Sequence, residues 1–214
     1  MILFGTDGIR GRYGDFPLDD STIKKIGCSI AKSFGNTVTK VIIGHDGRES
    51  CGAILDSLTD GINFINNYDI INLDLFPTPS LPLILSKNDS EDAIGIEITA
   101  SHNPYLDNGI KIFNKDGYKI SSALERKIEE IVATQNDINK TSSTKFKNGS
   151  PMKSVYTDFI SGLLSSINEC PTNLNVAVDC ANGATSHVIN DIKFPDNISL
   201  NIFNNSPNGV NIND

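Results

Sequence analysis

The sequence predicts an α/β fold: a mixed sheet flanked by helices, followed by an incomplete second α/β domain. Three observations lead there. Short apolar runs of strand length alternate with segments whose apolar residues recur at helical spacing. The runs end in Gly-rich or polar loops, as in strand–loop–helix units. A polar stretch at 134–153, "TQNDINKTSSTKFKNGSPMK", lacks periodicity and reads as a linker or long surface loop.

The elements follow in chain order. Ile23, Ile26, Ile30 and Phe34 mark a helix over Asp20 to Phe34, with Asp20 or Ser21 as N-cap and Gly35 as stop. "VIIG" (Val41 to Gly44) is a buried strand. Ile54, Leu55, Leu58, Ile62 and Ile65 mark a second helix. "IINLDL" (Ile70 to Leu75) is a strand closed by Pro77 and Pro79, and a short helix follows near Leu81 to Ser86. "AIGIEIT" (Ala93 to Thr99) and "IKIF" (Ile110 to Phe113) are further strands. Ser122 and Glu125 form a capping box for a helix through Val132. After the polar stretch, Tyr156, Phe159, Ile160, Leu163, Leu164 and Ile167 suggest a helix. "LNVAVDC" (Leu174 to Cys180) and "ISLNIF" (Ile198 to Phe203) are strands around "ANGAT" and a short helix.

Residues 1–152 therefore form one expected domain and 153–214 the start of another. The second holds only two strands and two helices before the Asn- and Gly-rich "FNNSPNGVNIND", so the chain reads as cut off.

Composition narrows the function classes. A length of 214 residues, 38% hydrophobic and 21% charged, suits a packed core with an ordinary polar surface. A net charge of −8 argues against nucleic acid or an anionic membrane as partner, though not against a phosphorylated small molecule. No apolar run is long enough for a transmembrane helix, and "MILFGTDGIR" has no secretory-signal pattern. Cys28, Cys51, Cys170 and Cys180 form no CxxC pair, which suits reduced thiols and a cytoplasmic setting. The triplet Asn88-Asp89-Ser90 would matter for glycosylation only in a secreted chain.

Three stretches could carry chemistry. "GTDGIRG" (Gly5 to Gly11) turns tightly, and its Arg10 is either an incidental surface cation or a bidentate phosphate grip. "GHDGRES" (Gly44 to Ser50) lies between strand and helix, placing Arg48 and Ser50 where open α/β sheets bind ligands; His45 fits a loop, with Ser50 as N-cap. "TASHNPYLDNGIK" (Thr99 to Lys111) is pinned by Pro104 and by the Asn108-Gly109 turn signal. It offers Ser101, His102, Asp107 and Lys111 within a short span. Ser101 could cap a turn, act as a hydrolase nucleophile without a G-x-S-x-G elbow, or carry a phosphoryl group balanced by Lys111 and Arg10. No P-loop motif occurs.

Together these motifs resemble the α-D-phosphohexomutase superfamily. "FGTDGIRG" is most similar to its phosphoglucosamine mutases, "TASHNPYLDNGIK" to the phosphoserine loop, and Asp46, Arg48 and Ser50 to its D-x-R-x-S element. "VDCANGAT" and "PNGVNIND" look like its early second domain. The resemblance implies a chain of four domains, three of them α/β, around a cleft. It also implies a phosphate carried on Ser101 and passed to a phosphosugar through a bisphosphate intermediate. That activity would interconvert glucosamine 6-phosphate and glucosamine 1-phosphate for cell-wall precursors, with Mg²⁺ as cofactor and glucosamine 1,6-bisphosphate as intermediate or activator. Arg10 and Lys111 would face the phosphate, with Lys111 a candidate proton shuttle and His102 in catalytic support. Asn103 and Arg48 would join the phosphate or substrate set, and a phosphoserine oxygen on Ser101 would ligate the metal.

The departures are equally specific. No D-G-D-x-D-R metal loop occurs, and the sugar-selecting loop and C-terminal phosphate-binding domain are absent, so the fragment is expected to be nearly inactive. Glu97 stands where the resemblance implies an uncharged residue, and strand alternation puts it on one face with Thr99, opposite Ile96 and Ile98. A phosphomannomutase or phosphoglucomutase, or a non-catalytic phosphosugar-binding remnant, are the alternatives. A small phosphosugar is the expected partner, and a homodimer is an open expectation.

Overall fold

The computed structural model describes residues 2–87, 92–139, 144–166 and 173–214. Asn88, Asp89, Ser90, Ile167, Cys170 and residues 140–143 of the expected linker lie outside the described residues.

The chain opens with a hairpin of β1 (Phe4–Gly5) and β2 (Gly8–Arg12). It continues through α1 (Asp20–Phe34), β3 (Lys40–His45), α2 (Cys51–Asn63), β4 (Asp69–Leu75) and α3 (Ser80–Lys87). Next come β5 (Ala93–Ile98), β6 (Asp107–Phe113), α4 (Ser122–Thr134) and β7 (Lys147–Asn148). Helix α5 (Lys153–Ser165) leads to β8 (Leu174–Asp179) and β9 (Ile198–Phe203), which flank two short 3₁₀ turns.

The main sheet has seven strands in the order β1-β2-β6-β5-β3-β4-β7. It is mixed: β3 lies parallel to β4 and β5, whereas β6 runs antiparallel to both β5 and β2. Ile43, Ile94, Ile96, Ile98, Ile110 and Ile112 point to one face, where α1, α2 and α4 bury them. Ile42, Ile71, Leu73 and Ala93 point to the other, against Leu81, Ile84 and Leu85 of α3 and partly buried Val155 and Tyr156 of α5. The all-apolar strands are explained by cover on both faces.

The caps differ in detail from expectation. Helix α1 is capped by Asp19, whose carboxylate accepts from the Thr22 N–H at 3.0 Å, one residue earlier than expected. Ser121, not Ser122, caps α4, and Glu125 instead pairs with Lys119 at 2.9 Å. Ser50 stands at the N-cap of α2 without capping through its side chain; its Oγ accepts from Asn108 Nδ2 at 2.8 Å.

The 134–153 stretch also differs from a free linker. Lys147 and Asn148 pair in parallel with Ile71 and Asn72, closing the sheet edge, and Ile138 is buried. Periodicity could not show this, because a two-residue strand is specified by backbone pairing alone. Strands β8 and β9 form a separate parallel pair, more exposed than the main sheet. Cys28, Cys51 and Cys180 are free and buried. No helix among the described residues is long and apolar enough to cross a membrane.

Candidate active site

The site lies where the β5–β6 connection leaves the sheet. Thr99 continues the β5 line, its N–H donating to the Gly109 carbonyl at 3.0 Å, and Gly109 pairs in turn with Arg10 of β2. A Cβ on Gly109 would lie 2.8 Å from Arg10 Cδ and 2.7 Å from the Thr99 carbonyl oxygen, so only glycine lets Arg10 cross this point. Arg10 and the start of the Ser101 loop are thus brought together across neighbouring strands.

Ser101 is exposed and has φ 59°, the left-handed region that a residue with a Cβ rarely adopts. Such a conformation persists when the surroundings over-determine it. Its N–H donates to Thr99 Oγ1 at 2.9 Å, and Thr99 Oγ1 donates to Asp46 Oδ2 at 2.6 Å. The turn closes with the Asn103 N–H on the Ala100 carbonyl at 3.2 Å.

Arg48 holds the same loop by its carbonyls. Its Nε donates to Asp46 Oδ2 at 2.8 Å, Nη2 to the carbonyls of Ser101 and Asn103 at 3.0 and 3.1 Å, and Nη1 to those of Asp107 at 2.9 Å and of Pro104. These bonds use every N–H that a guanidinium owns. With 2% of its surface exposed, Arg48 is part of the loop's frame, not the free phosphate or substrate ligand that the motif suggests. Asp46 offsets its charge within the fold.

Next to the loop is an ion cluster. Lys111 Nζ lies 2.7 Å and Arg10 Nη2 3.2 Å from Asp7 Oδ2. Hydrogen bonding from Lys111, then the charges of Lys111 and Arg10, hold the Asp7 carboxyl below the usual carboxylate range despite some desolvation. Arg10 and Lys111, two of the expected residues, are brought together. Asp7, which joins them, was not singled out, although its place three residues before Arg10 in a tight hairpin was a usable signal. His102 is exposed beside Ser101. The Asn103 side chain turns inward to the loop, donating to Asp107 Oδ2 at 2.9 Å.

Beneath these groups lies Glu97, on the same sheet face as its β6 partner Lys111 and fully buried. Neither carboxyl oxygen has a hydrogen-bond partner among the described residues. Burial above all, and then the neighbouring Asp46 charge, push its pKa well above the ordinary value; Lys111 acts weakly the other way. The shift favours the protonated form of Glu97, which lessens negative charge beneath the cluster.

A family model described as phosphoglucomutase/phosphomannomutase, alpha/beta/alpha domain I, matches residues 1–139. The chain belongs to this family. Curated relatives include the phosphoglucosamine mutases of Aliarcobacter butzleri, 36% identical over all of this chain and 49% of its own length, and of Acetivibrio thermocellus, 35% identical over 99% of this chain and 47% of its own. This phosphoglucomutase/phosphomannomutase family chain therefore spans about half the length of the curated relatives it matches. The crystal structure of a phosphoglucomutase/phosphomannomutase family protein from Burkholderia thailandensis shares the fold, with a TM-score of 0.76 at 21% identity over 98% of this chain and 46% of that one.

The implied metal can be tested against these residues. Among the described residues no group of three or more His, Cys, Asp or Glu side chains could hold a metal ion. Asp7 is engaged by Lys111 and Arg10, and Asp46 by Arg48 and Thr99. A Ser101 oxygen alone is not a metal site, so the described residues do not by themselves fit a magnesium ion.

Proposed function

We propose that this chain carries the phosphoserine part of a phosphosugar mutase that interconverts glucosamine 6-phosphate and glucosamine 1-phosphate. The observation that carries the reading is Ser101 itself: an exposed hydroxyl on a strained, fully braced loop, beside a cluster holding two cations. The phosphoglucosamine mutase relatives support the choice of sugar. Residues 1–152 bear the loop and 153–214 lead into a second unit, although α5 at its start packs on the α3 face of the first unit's sheet.

In this reading Ser101 Oγ stores the phosphoryl group as an ester. A sugar hydroxyl forms a new P–O bond as the P–Oγ bond breaks; the Lys111 ammonium gives a proton to the departing serine oxygen and is restored by the proton the sugar hydroxyl releases. The resulting bisphosphate turns over and gives its other phosphoryl group back to Ser101, so no nucleotide is consumed. Charge on the transferring oxygens is met by Arg10 and Lys111, whose present counter-ion is Asp7. His102 supports the serine from the loop, while Asn103 and Arg48 hold the loop's shape. A magnesium ion on the phosphoserine would need ligands from beyond the described residues.

Intact-mass measurement after incubation with glucosamine 1,6-bisphosphate tests the carrier. A gain of about 80 Da, one phosphoryl group, absent in Ser101→Ala, is expected. Phosphate on a different residue, or none under conditions that charge a full-length relative, would overturn the assignment and favour a non-catalytic phosphosugar-binding remnant.

A further inference from the structure

The Asn-rich segment after β9 reads in sequence as an open end, yet its asparagines fold it on itself. Asn208 Oδ1 accepts from the N–H groups of Val210 and Asn211, each at 3.1 Å, and Asn211 Nδ2 donates to the Ser206 carbonyl at 3.1 Å. Asn182 closes the other side, its Oδ1 accepting from the Ser206 N–H at 3.2 Å and its Nδ2 donating to the Asn211 carbonyl at 3.3 Å. Ile212 is 6% exposed and anchors the segment, and the Glu49 N–H donates to the Gly209 carbonyl at 2.9 Å, tying it to the loop that bears Arg48.

Asn213 is thereby delivered to the serine loop. Its N–H donates to the Ala181 carbonyl at 2.8 Å, and its Nδ2 donates to the carbonyls of Ser101 at 2.9 Å and Asn103 at 3.1 Å. Those are the two carbonyls that Arg48 Nη2 also holds. A carbonyl oxygen has two lone pairs, so the two clamps together saturate both acceptors. With both filled, the peptide planes that carry these carbonyls are held from two sides, which fixes the backbone from which the Ser101 side chain projects.

We propose that Asn213 is a positioning residue for the Ser101 loop, a second clamp that makes the serine's presentation depend on docking of the 204–214 segment. The role in phosphoryl transfer rests on reading Ser101 as the carrier; the clamp itself does not.

The full chain tests it in two arms, with Asn213→Ala and Asn213→Asp. Amide hydrogen exchange across 101–103 should accelerate roughly three- to tenfold in Asn213→Ala, the loss of one or two exposed hydrogen bonds. The thermal midpoint should fall by no more than about 5 °C. Asn213→Asp should loosen the loop further, because a carboxylate would face two carbonyl oxygens; mere loss of packing would make it the milder variant. Phosphate uptake from glucosamine 1,6-bisphosphate should slow in the same order. Unchanged exchange at 101–103 in both variants overturns the clamp. If the unsubstituted chain takes no phosphate, the carrier reading fails while the exchange arm still decides Asn213.

Discussion

Glu97 is a carboxyl in the middle of a sheet with no hydrogen-bond partner among the described residues, and its burial sets how stability depends on pH. Below about pH 4.3, the ordinary Glu value, both folded and unfolded chains hold its proton, so it adds no slope to stability. Above that point the unfolded chain releases the proton while the folded chain keeps it, since burial raises the folded pKa well above the ordinary Glu range. The folded state then binds more protons, and stability falls as pH rises, by up to about 1.4 kcal/mol per unit from this one group. The fall ends once the folded Glu97 itself ionises. Glu97→Gln keeps the size and the neutral charge but cannot titrate. Urea midpoints collected from pH 5 to 8 should therefore decline less steeply in Glu97→Gln than in the unsubstituted chain; parallel declines would show that Glu97 is ionised in the fold.

At the scale of elements, the α1–α2 pair sets how tightly the apolar layer closes over the sheet. A Cβ on Gly27 would lie 2.1 Å from the Leu58 carbonyl oxygen, and one on Gly61 2.0 Å from that of Lys24, so the two helices meet backbone to backbone. Gly27→Ala is expected to force them apart at a cost of about 1–3 kcal/mol, as over-packing does. Gly162 in α5 has open space around its Cβ position, so Gly162→Ala should stabilise by ~0.5–1 kcal/mol through helix propensity. Denaturant midpoints moving in opposite directions would bear this out, and a neutral Gly27→Ala would refute the close crossing. Helix α1 and strands β3 to β5 were legible because Ile23, Ile26 and Ile30, or the run Val41 to Ile43, carry their own period. The Asp19 cap was missed by one residue because several acids and hydroxyls crowd the helix start. Strand β7 was missed because Lys147 and Asn148 contribute only backbone to the ladder.

At the scale of the whole molecule, the site joins stretches that are far apart in sequence. The stretches that hold Arg10, the Asp46–Arg48 pair and the Ser101 loop with Lys111 were each visible as motifs, whereas Asp7 as the link between Arg10 and Lys111 was not. Their division of labour was not. Arg48 reads as a ligand in a D-x-R-x-S string, and only its contacts with carbonyls 53 to 59 residues away reveal a frame. Asn213 lies 112 residues from Ser101, beyond any local pattern. The Ser101 loop, its two clamps and two cations are all in place, and if Ser101 is the proposed carrier they are the groups that would let it accept a phosphoryl group. In that reading turnover asks more: the bisphosphate must reorient, and a metal would have to be held where the described residues assemble no group of three or more His, Cys, Asp or Glu side chains able to hold one. Incubation with glucosamine 6-phosphate, Mg²⁺ and catalytic glucosamine 1,6-bisphosphate should accordingly leave glucosamine 1-phosphate at background, while Ser101 gains phosphate stoichiometrically and keeps it. Sustained product formation at constant bisphosphate would show instead that these 214 residues hold a complete mutase site.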